Sequence, residues 1–563
     1  MAFHDPSAVL TAWNANEVRS CLREAEAAAR HGAYAVGFVA YEAADAFALV
    51  SRPPTAGLPL AHFAIFPAAH AASLVGIPAG PGCDALPWTP SIGREEYVRA
   101  IDRIKEHIAD GETYQLNFTF RLRAPFTGDP EALFRDLVAA QRGDWSAYLD
   151  IGTHVVCSAS PELFFTLDNG HIECHPMKGT TARGLTLAGD WELADRLRSS
   201  SKNRSENVMI VDLVRNDLGR VAQVGSVRVP SLFDVVRYPQ QWQMTSTVVA
   251  EIGEVPIADI FAAAFPSGSV TGAPKQRSME IISDIETLPR GLYTGAIGLI
   301  APGARAHFNV AIRTVVVDRR AAAAEFGVGG GIVWDSTPAD EYDECSLKAS
   351  ILTARLPEFD LLETLRWEPD SGFSLLPQHL ARLHDSAEYF ARPCSDAMVR
   401  AALRDAVAHC SVAVKVRLLV ASDGTARCEL TAIDPSPPIS RVALARTPIS
   451  SQDPFLYHKT THRDVYNRAR ADHPGVDSVL LWNERGELTE ALEANLVVEL
   501  DGVRLTPPVS CGLLPGTFRG TLLERDEVIE RILRVDDLHR ATRFWLVNSI
   551  RGWLSAEFVS ESG

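Results

Sequence analysis

Two lysines and a handful of carboxylates carry the chemistry legible in this chain of 563 residues. Lys178 lies in HPMKGTTARG, residues 175–184, directly after the alternating run His171-Ile172-Glu173-Cys174, which reads as a strand. A long cation at the mouth of a small-residue loop has three uses. It anchors an anion, pairs with a carboxylate, or attacks carbon as a free amine. Glu162 follows Pro161 in SASPELFF, and Glu206 sits in the first turns of the helical stretch SKNRSENVMIVDLVRNDLGRV. Taken singly, they read as a loop acid and as a complement to the helix dipole. In GGGIVWDSTPADEYDECSLKASIL, Thr337 is a good N-cap with Pro338 in the first helical position. Glu341, Glu344 and Lys348 then fall at i, i+3 and i+7 on one helix face. Two carboxylates and an amine beside the exposed amides of Gly329, Gly330 and Gly331 suit a Mg²⁺ and carboxylate site. Mg²⁺ takes oxygen ligands and often completes its octahedron with substrate. A solvated charged face is the competing reading.

The second lysine, Lys459, stands in FLYHKTTHRDVYNRAR between a strand-like run and a helix. Beyond it come a turn at Gly486, then Glu490 and Asn495, and the stretches GLLPGTFRG and VNSIRGW. Upstream, Leu380, Leu383 and Ala387 form the apolar face of a helix flanked by His379 and Arg382. One by one these are surface cations, a turn acid and a Gly-Pro loop. PSGSVTGAPK looks like a phosphate loop, but Gly268, Gly272 and Lys275 do not match GxxxxGK[ST], and Pro274 feeds a helix.

The elements that must hold these groups belong to a globular chain, 46% hydrophobic and 22% charged. The net charge of −17 and the scattered Lys and Arg give no basic patch, which argues against nucleic acid. The start, MAFHDPSAVLTAW, does not read as a signal peptide, and no run of about eighteen apolar residues calls for a membrane span. The nine cysteines form no metal-spaced cluster, so buried thiols in a reducing cytoplasm are expected. Tyr97, Ile101, Ile104 and Ile108 mark a helix that stops at Gly111. TYQLNFTFRL is a strand with Gln115 and Asn117 on one face and Leu116 and Phe118 on the other. Helices and strands interleave throughout, giving an α+β chain. A domain boundary falls near Leu356, ahead of Pro357. Residues 67–90 read as a surface connection, and residues 435–463 as a crossing between two lobes.

As an ordered set, SPELFF, MKGTTARG, SENVMIVDLVRNDLGRV, PSGSVTGAPK, AIRT and GGGIVWDSTPADEYDE resemble the chorismate-utilising enzymes. That family includes anthranilate synthase, isochorismate synthase and aminodeoxychorismate synthase component I. The resemblance covers nearly all of residues 1–356 and implies a layered β-sheet sandwich with helices. It implies that Glu206 and Glu344 ligate Mg²⁺ with Glu341 close by, and that Mg²⁺ holds the ring carboxylate of chorismate. Arg313, Tyr293, Thr271, Lys348 and the amides of Gly329, Gly330 and Gly331 would bind substrate. Glu162 would protonate the leaving C4 hydroxyl, because hydroxide is a poor leaving group. Anthranilate synthases generally carry alanine where this chain has Lys178, whereas aminodeoxychorismate synthases carry lysine. The family mechanism makes that lysine a nucleophile on C2, displaced when ammonia enters at C4. An amine of ordinary pKa ~10.4 is almost wholly protonated at neutral pH, so such a role needs a pocket that depresses it. Two positions depart from the pattern. Asn203 stands where relatives often have an acid, and Gln243 where anthranilate synthases have a histidine.

The later stretches resemble the class IV (fold type IV) pyridoxal-phosphate enzymes over residues 357–563. These include branched-chain and D-amino-acid aminotransferases and 4-amino-4-deoxychorismate lyase. The resemblance implies a two-lobed fold with Lys459 as the Schiff-base lysine and Glu490 paired with the pyridinium nitrogen. Arg382, the Thr517 and Phe518 amides and Ser549 would hold the phosphate, with Asn548 and Arg551 toward the substrate.

Joined, the two resemblances imply 4-aminobenzoate synthesis for folate from chorismate and ammonia, with Mg²⁺ and pyridoxal 5′-phosphate (PLP) as cofactors. No cysteine sits in a Gly-x-Cys-x-Gly elbow, so a separate glutamine amidotransferase is expected to supply the ammonia. Two alternatives stand beside this. One is an anthranilate-type enzyme joined to an amino-acid aminotransferase, and the other is a regulatory first half on an active PLP domain.

Overall fold

The computed structural model describes residues 1–68, 71–72, 83–353, 357–433 and 439–559. The chain divides into two compact units. One comprises Met1–Arg183 and Leu193–Leu356, the other Gly184–Glu192 and Pro357–Gly563. The junction expected near Leu356 falls at residues 354–356, outside the described residues. So do much of the connection expected over 67–90 and the start of the crossing expected over 435–463.

The first unit is built on two large sheets, one of ten strands and one of seven. In the ten-stranded sheet the central strands Leu163–Asp168, Arg305–Val310, Ala296–Ala301 and Ala33–Val39 pair antiparallel. The helices Ala15–Arg30, Ser201–Gly219 and Ile257–Ala264 bury Leu22, Ile210 and Phe261 in one core with Phe63, Phe165 and Phe308. Each such side chain contributes roughly 1.5–3 kcal/mol over leaving it in water. In the seven-stranded sheet, Gln115–Pro125 pairs with Ala323–Ile332 in unbroken register from Ala323↔Pro125 to Ile332↔Leu116. The helix Arg94–Ala109 lays Tyr97, Ile101 and Ile104 against Leu116, Phe118 and Phe120, and the chain turns at Gly111 with φ +74°. Strand alternation puts Gln115, Asn117, Thr119 and Arg121 on the opposite face, and all four are buried.

Three local readings change. The stretch around Lys178 is a strand, Met177–Ala182, because its backbone pairs with Gln241–Glu251; small residues there fit a ladder as well as a loop. Gly329, Gly330 and Gly331 belong to the strand Ala323–Ile332 and pair with Thr119, Phe118 and Asn117, so they are ladder residues and not a loop. The run before Lys459 is a 3₁₀ turn, Pro454–Leu456, capped by the Asp453 side chain and not strand-like.

The second unit holds a four-stranded antiparallel sheet packed with the helices Leu376–Tyr389 and Asp396–Val407. It also holds an eight-stranded sheet in which Ser440–Leu444 runs parallel to Ser478–Trp482 and to Gly552–Phe558. The nine cysteines are free thiols. Among the described residues, no helix is long and apolar enough to cross a membrane.

Candidate active sites

In the first unit the polar residues gather round a cavity of about 110 Å³. Glu162 stands at the corner between His154–Ser160 and Leu163–Asp168, where the Ser160 hydroxyl accepts from its N–H at 3.2 Å. Its carboxylate is fully enclosed and accepts from Ser269 Oγ at 2.5 Å. Burial pushes that carboxyl up to about 7. Lys178 enters from a break in register between Met177 and Thr180, next to Gly179 at φ +101°. A bulge of this kind re-aims a side chain out of its ladder. The Asn207 amide steadies it by donating to the Lys178 carbonyl at 3.5 Å, while its Oδ1 accepts from Ser246 at 2.6 Å. Lys178 Nζ lies 3.7 Å from the Glu206 carboxylate.

The helix Pro338–Ala349 starts on the Thr337 cap and brings three more charges. Glu341 accepts from Ser336 Oγ at 2.6 Å, and burial followed by the neighbouring Glu344 raises its carboxyl. Burial would also raise Glu344, but Lys348 at 2.6 Å outweighs it and holds the carboxyl below its usual value. Lys348 also donates to the Gly329 carbonyl at 2.8 Å. In an antiparallel ladder a residue's N–H and C=O point the same way, so the Gly329 and Gly331 amides face away from their partner strand. Arg313, at φ +52°, donates to the Lys348 carbonyl and to Gln241 Oε1, and burial lowers its guanidinium to about 10.

Glu162, Lys178, Glu206, Tyr293 and Arg313 therefore line one cavity with Gly329, Gly331, Glu341, Glu344 and Lys348. Two expected substrate-binding residues do not line it. Thr271 is enclosed and its hydroxyl is spent on the Ser267 carbonyl at 3.1 Å. Gly330 is absent from the lining, although a β-carbon there would come within 3.1 Å of Glu341 Oε2 at its edge. The carboxylates form no closed cage: among the described residues no three acids, histidines or thiols stand close enough to enclose a metal. The donor set still fits Mg²⁺, which commonly takes one or two protein carboxylates and fills its octahedron with water and substrate oxygens. Sequence reasoning missed Ser269 and Lys202, both on the cavity. Ser269 lies in PSGSVTG, where the resemblance points to Thr271 instead.

In the second unit a larger cavity, about 420 Å³, is lined by Lys459, Glu490, Arg382, Thr517, Phe518, Ser549 and Arg551, with Asn548 beside them. Burial, then the Arg382 charge, lowers the Lys459 amine to about 8. Glu490 is buried on the strand Leu488–Ala491, accepting from Tyr466 Oη at 2.7 Å, the Leu514 N–H at 3.2 Å and Asn495 Nδ2 at 3.2 Å. Burial raises its carboxyl to about 7, the direction that an added cation at this point would reverse. Thr517 opens the helix Thr517–Glu524, whose first amides are free for an anion.

Glu363 is the residue that reading the sequence missed here. It accepts both Nε and Nη2 of Arg382, at 2.9 and 2.7 Å, and also holds His379 Nδ1 at 2.6 Å. Burial would raise it, but Arg382 and then His379 bring it down to about 2. Arg382 Nη1 donates to the Pro515 carbonyl at 3.1 Å. Three of the five guanidinium N–H groups are thus used, leaving two for a ligand. His379 Nε2 reaches Thr517 Oγ1 at 3.3 Å, so one buried acid fixes both a cation and the helix start. No sequence signal marks Glu363, because a single acid in an apolar strand is ambiguous.

Residues 79–354 match the family model for chorismate binding enzyme, and residues 360–557 that for amino-transferase class IV. The chain joins a chorismate binding domain to a class IV domain. The chain is 40% identical over 309 residues to aminodeoxychorismate synthase of Streptomyces griseus, covering 52% of this chain and 42% of that protein. It is also 40% identical over 258 residues to aminodeoxychorismate synthase component 1 of Salmonella typhimurium, covering 46% and 56%. The chain thus spans about half the length of these relatives. Anthranilate synthase component I from Streptococcus pneumoniae shares its fold at a TM-score of 0.56 and 26% identity, over 62% of this chain and 91% of that one.

Proposed function

We propose that the chorismate binding domain aminates chorismate to 4-amino-4-deoxychorismate, and that the class IV domain eliminates pyruvate from it to give 4-aminobenzoate. The observation that carries this reading is Lys178 on the same small cavity as the protonatable Glu162. Lys178 Nζ adds to C2, both ring double bonds shift, and the C4–O bond breaks as Glu162 gives its proton, releasing water. Ammonia then bonds to C4, both double bonds return, and the C2–N bond breaks to free the lysine. The extra ammonium proton returns to Glu162. The sum is chorismate plus ammonia to aminodeoxychorismate plus water. Mg²⁺ between Glu206 and Glu344, with Glu341 close by, would bind the ring carboxylate and stabilise developing charge. Lys348 and the outward Gly329 and Gly331 amides orient the other carboxylate.

In the class IV domain, bound PLP would supply an electron sink. Lys459, its amine lowered to about 8, would hold the cofactor and, once freed by substrate, take the C4 proton. The C3–O bond then breaks, and enolpyruvate gains a proton and leaves as pyruvate. Arg382, Thr517, Phe518 and Ser549 would hold the phosphate, Glu490 would keep the ring nitrogen protonated, and Arg551 would meet a substrate carboxylate. Pairing with an aminodeoxychorismate-forming partner favours a lyase over an aminotransferase, since no keto-acid cosubstrate is then needed.

Two variants test the division of labour. Lys178→Ala should lose amination of chorismate yet still convert supplied aminodeoxychorismate. Lys459→Ala should lose the visible absorbance of bound PLP and accumulate aminodeoxychorismate. A Lys178→Ala protein that aminates at the parental rate overturns the nucleophile role, and unchanged 4-aminobenzoate output from Lys459→Ala removes the PLP assignment.

A further inference from the structure

The lyase step moves two protons, and so far only one has a carrier. Lys459 takes the C4 proton. When the C3–O bond breaks, its electron pair goes to the ether oxygen, and an enolate is a poorer leaving group than an enol. An acid on the class IV cavity would let that oxygen depart as a hydroxyl. Several ionisable groups on the cavity are already engaged. Tyr466 donates to Glu490 at 2.7 Å, and Arg417 to Glu429 at 2.7 Å. His458 is held by Ser386 at 3.0 Å and stacks on Tyr389 with ring centroids 4.2 Å apart. His462 is different. It lines the same cavity, and among the described residues no hydrogen bond engages either ring nitrogen. Asp464 Oδ2 stands 4.0 Å from Nδ1, beyond hydrogen-bond range and largely out in solvent. The ring rests edge-on against Phe455 at 4.6 Å, with 23% of the side chain exposed.

His462 follows Lys459 by three residues, so their backbones lie at most about 10–11 Å apart. Both ends of the turn between them are pinned. The Lys459 carbonyl accepts from the Leu362 N–H at 3.0 Å, and the Thr461 N–H donates to the Asp360 carbonyl at 3.0 Å. The Asp360 N–H donates in return to Thr461 Oγ1 at 2.9 Å. On the far side Arg463 caps the helix Asp464–Asp472, and its guanidinium donates to the Leu492 carbonyl. A Thr-Thr turn fixed in this way presents the lysine and the imidazole to one cavity. We propose that His462 is the acid that protonates the departing enolpyruvyl oxygen. This rests on the lyase reading above and adds to it a second catalytic residue. The C3–O bond breaks, its electron pair goes to oxygen, and a ring-nitrogen proton of His462 joins that oxygen. Lys459 has meanwhile gained the C4 proton, and exchange with water returns both groups to their starting forms. The released enol becomes pyruvate by taking a proton at carbon and losing one from oxygen. Imidazole exchanges protons near neutral pH, which hydroxyl and guanidinium groups do not.

The test uses the full PLP-loaded chain with supplied aminodeoxychorismate, in the parent and in His462→Gln and His462→Ala. Formation of 4-aminobenzoate should slow by about 10²–10⁴ in kcat. The KM for aminodeoxychorismate, and PLP affinity read by titrating its absorbance, should stay within about twofold of the parent. Added imidazole should restore part of the rate in His462→Ala and none in His462→Gln, where the space stays filled. In D₂O, unreacted substrate recovered from His462→Gln should carry deuterium at C4, because Lys459 still removes and returns that proton while C3–O cleavage waits. A merely structural role would lose exchange along with elimination. An unchanged kcat overturns the inference and leaves the protonated Lys459 as the acid. So does a fall in kcat in which C4 exchange disappears in step with elimination, which would make His462 a support for Lys459. If Ala disturbs the turn, Gln keeps the volume and gives the same exchange readout. Failure of the lyase reading is separate: the parent itself would then form no 4-aminobenzoate from supplied aminodeoxychorismate.

Discussion

In the proposed amination Glu162 starts with a proton, and its burial favours that form. Burial lifts its carboxyl to about 7, above the ordinary carboxylate range. The protonated fraction therefore falls as pH rises through about 7. With free ammonia held constant, Glu162 should therefore add to the amination pH profile a falling limb of up to about tenfold per pH unit above that point. Glu162→Gln should abolish this limb and slow the step by about 10²–10⁴. A rate that keeps climbing through pH 8 at constant free ammonia would remove Glu162 as the acid. The same shift acts on stability. Because the folded value lies above the unfolded one, the contribution is whole below 4.5 and is lost as pH rises through about 7. The position of Glu162 was legible in SPELFF, but its environment was not. The Ser269 hydroxyl that it accepts lies 107 residues away in sequence, and only the fold joins them.

At the scale of elements, bulges and strand glycines aim the chemistry. Lys178 leaves its strand through the irregularity beside Gly179, and Gly331 keeps open the space that its amine fills. A β-carbon at Gly331 would overlap Lys178 Nζ, so Gly331→Ala should cost about 100-fold in amination through displacement of the lysine. Lyase turnover in the same protein should be unaffected. Gly516 has the corresponding place in the class IV domain, where a β-carbon would overlap Asn495 Oδ1. Gly516→Ala should weaken PLP binding, read by titration of its absorbance, and leave amination untouched. Glu363→Ala removes the acid that holds Arg382 and His379 and should destabilise the class IV domain by about 3–5 kcal/mol in denaturant unfolding. Helices were readable from spacing: the apolar residues of Arg94–Ala109 and the cap at Thr337 appear as expected. The strand at Met177–Ala182 was not, since small polar residues satisfy loop and ladder alike and only pairing with Gln241–Glu251 decides.

At the scale of the whole molecule, the order of the motifs carried more than any one of them. The two-domain reading emerged because two sets of individually ambiguous residues each follow a single family's sequence. What stayed hidden was long-range: Glu363 under Arg382, and Ser269 against Glu162. The nitrogen source belongs at this scale too, because some relatives are named component 1, which implies a second component. The purified chain should use ammonium, better at higher free ammonia, and fail with glutamine until a separate glutaminase is added. Glutamine-dependent product from the chain alone would contradict that arrangement. The most direct test of the central claim is one incubation of the purified chain with chorismate, ammonium, Mg²⁺ and PLP, followed by identification of the aromatic product by mass spectrometry and chromatography. The account predicts 4-aminobenzoate with pyruvate in equal amount. Formation of 2-aminobenzoate, or of no aromatic amine at all, would contradict it.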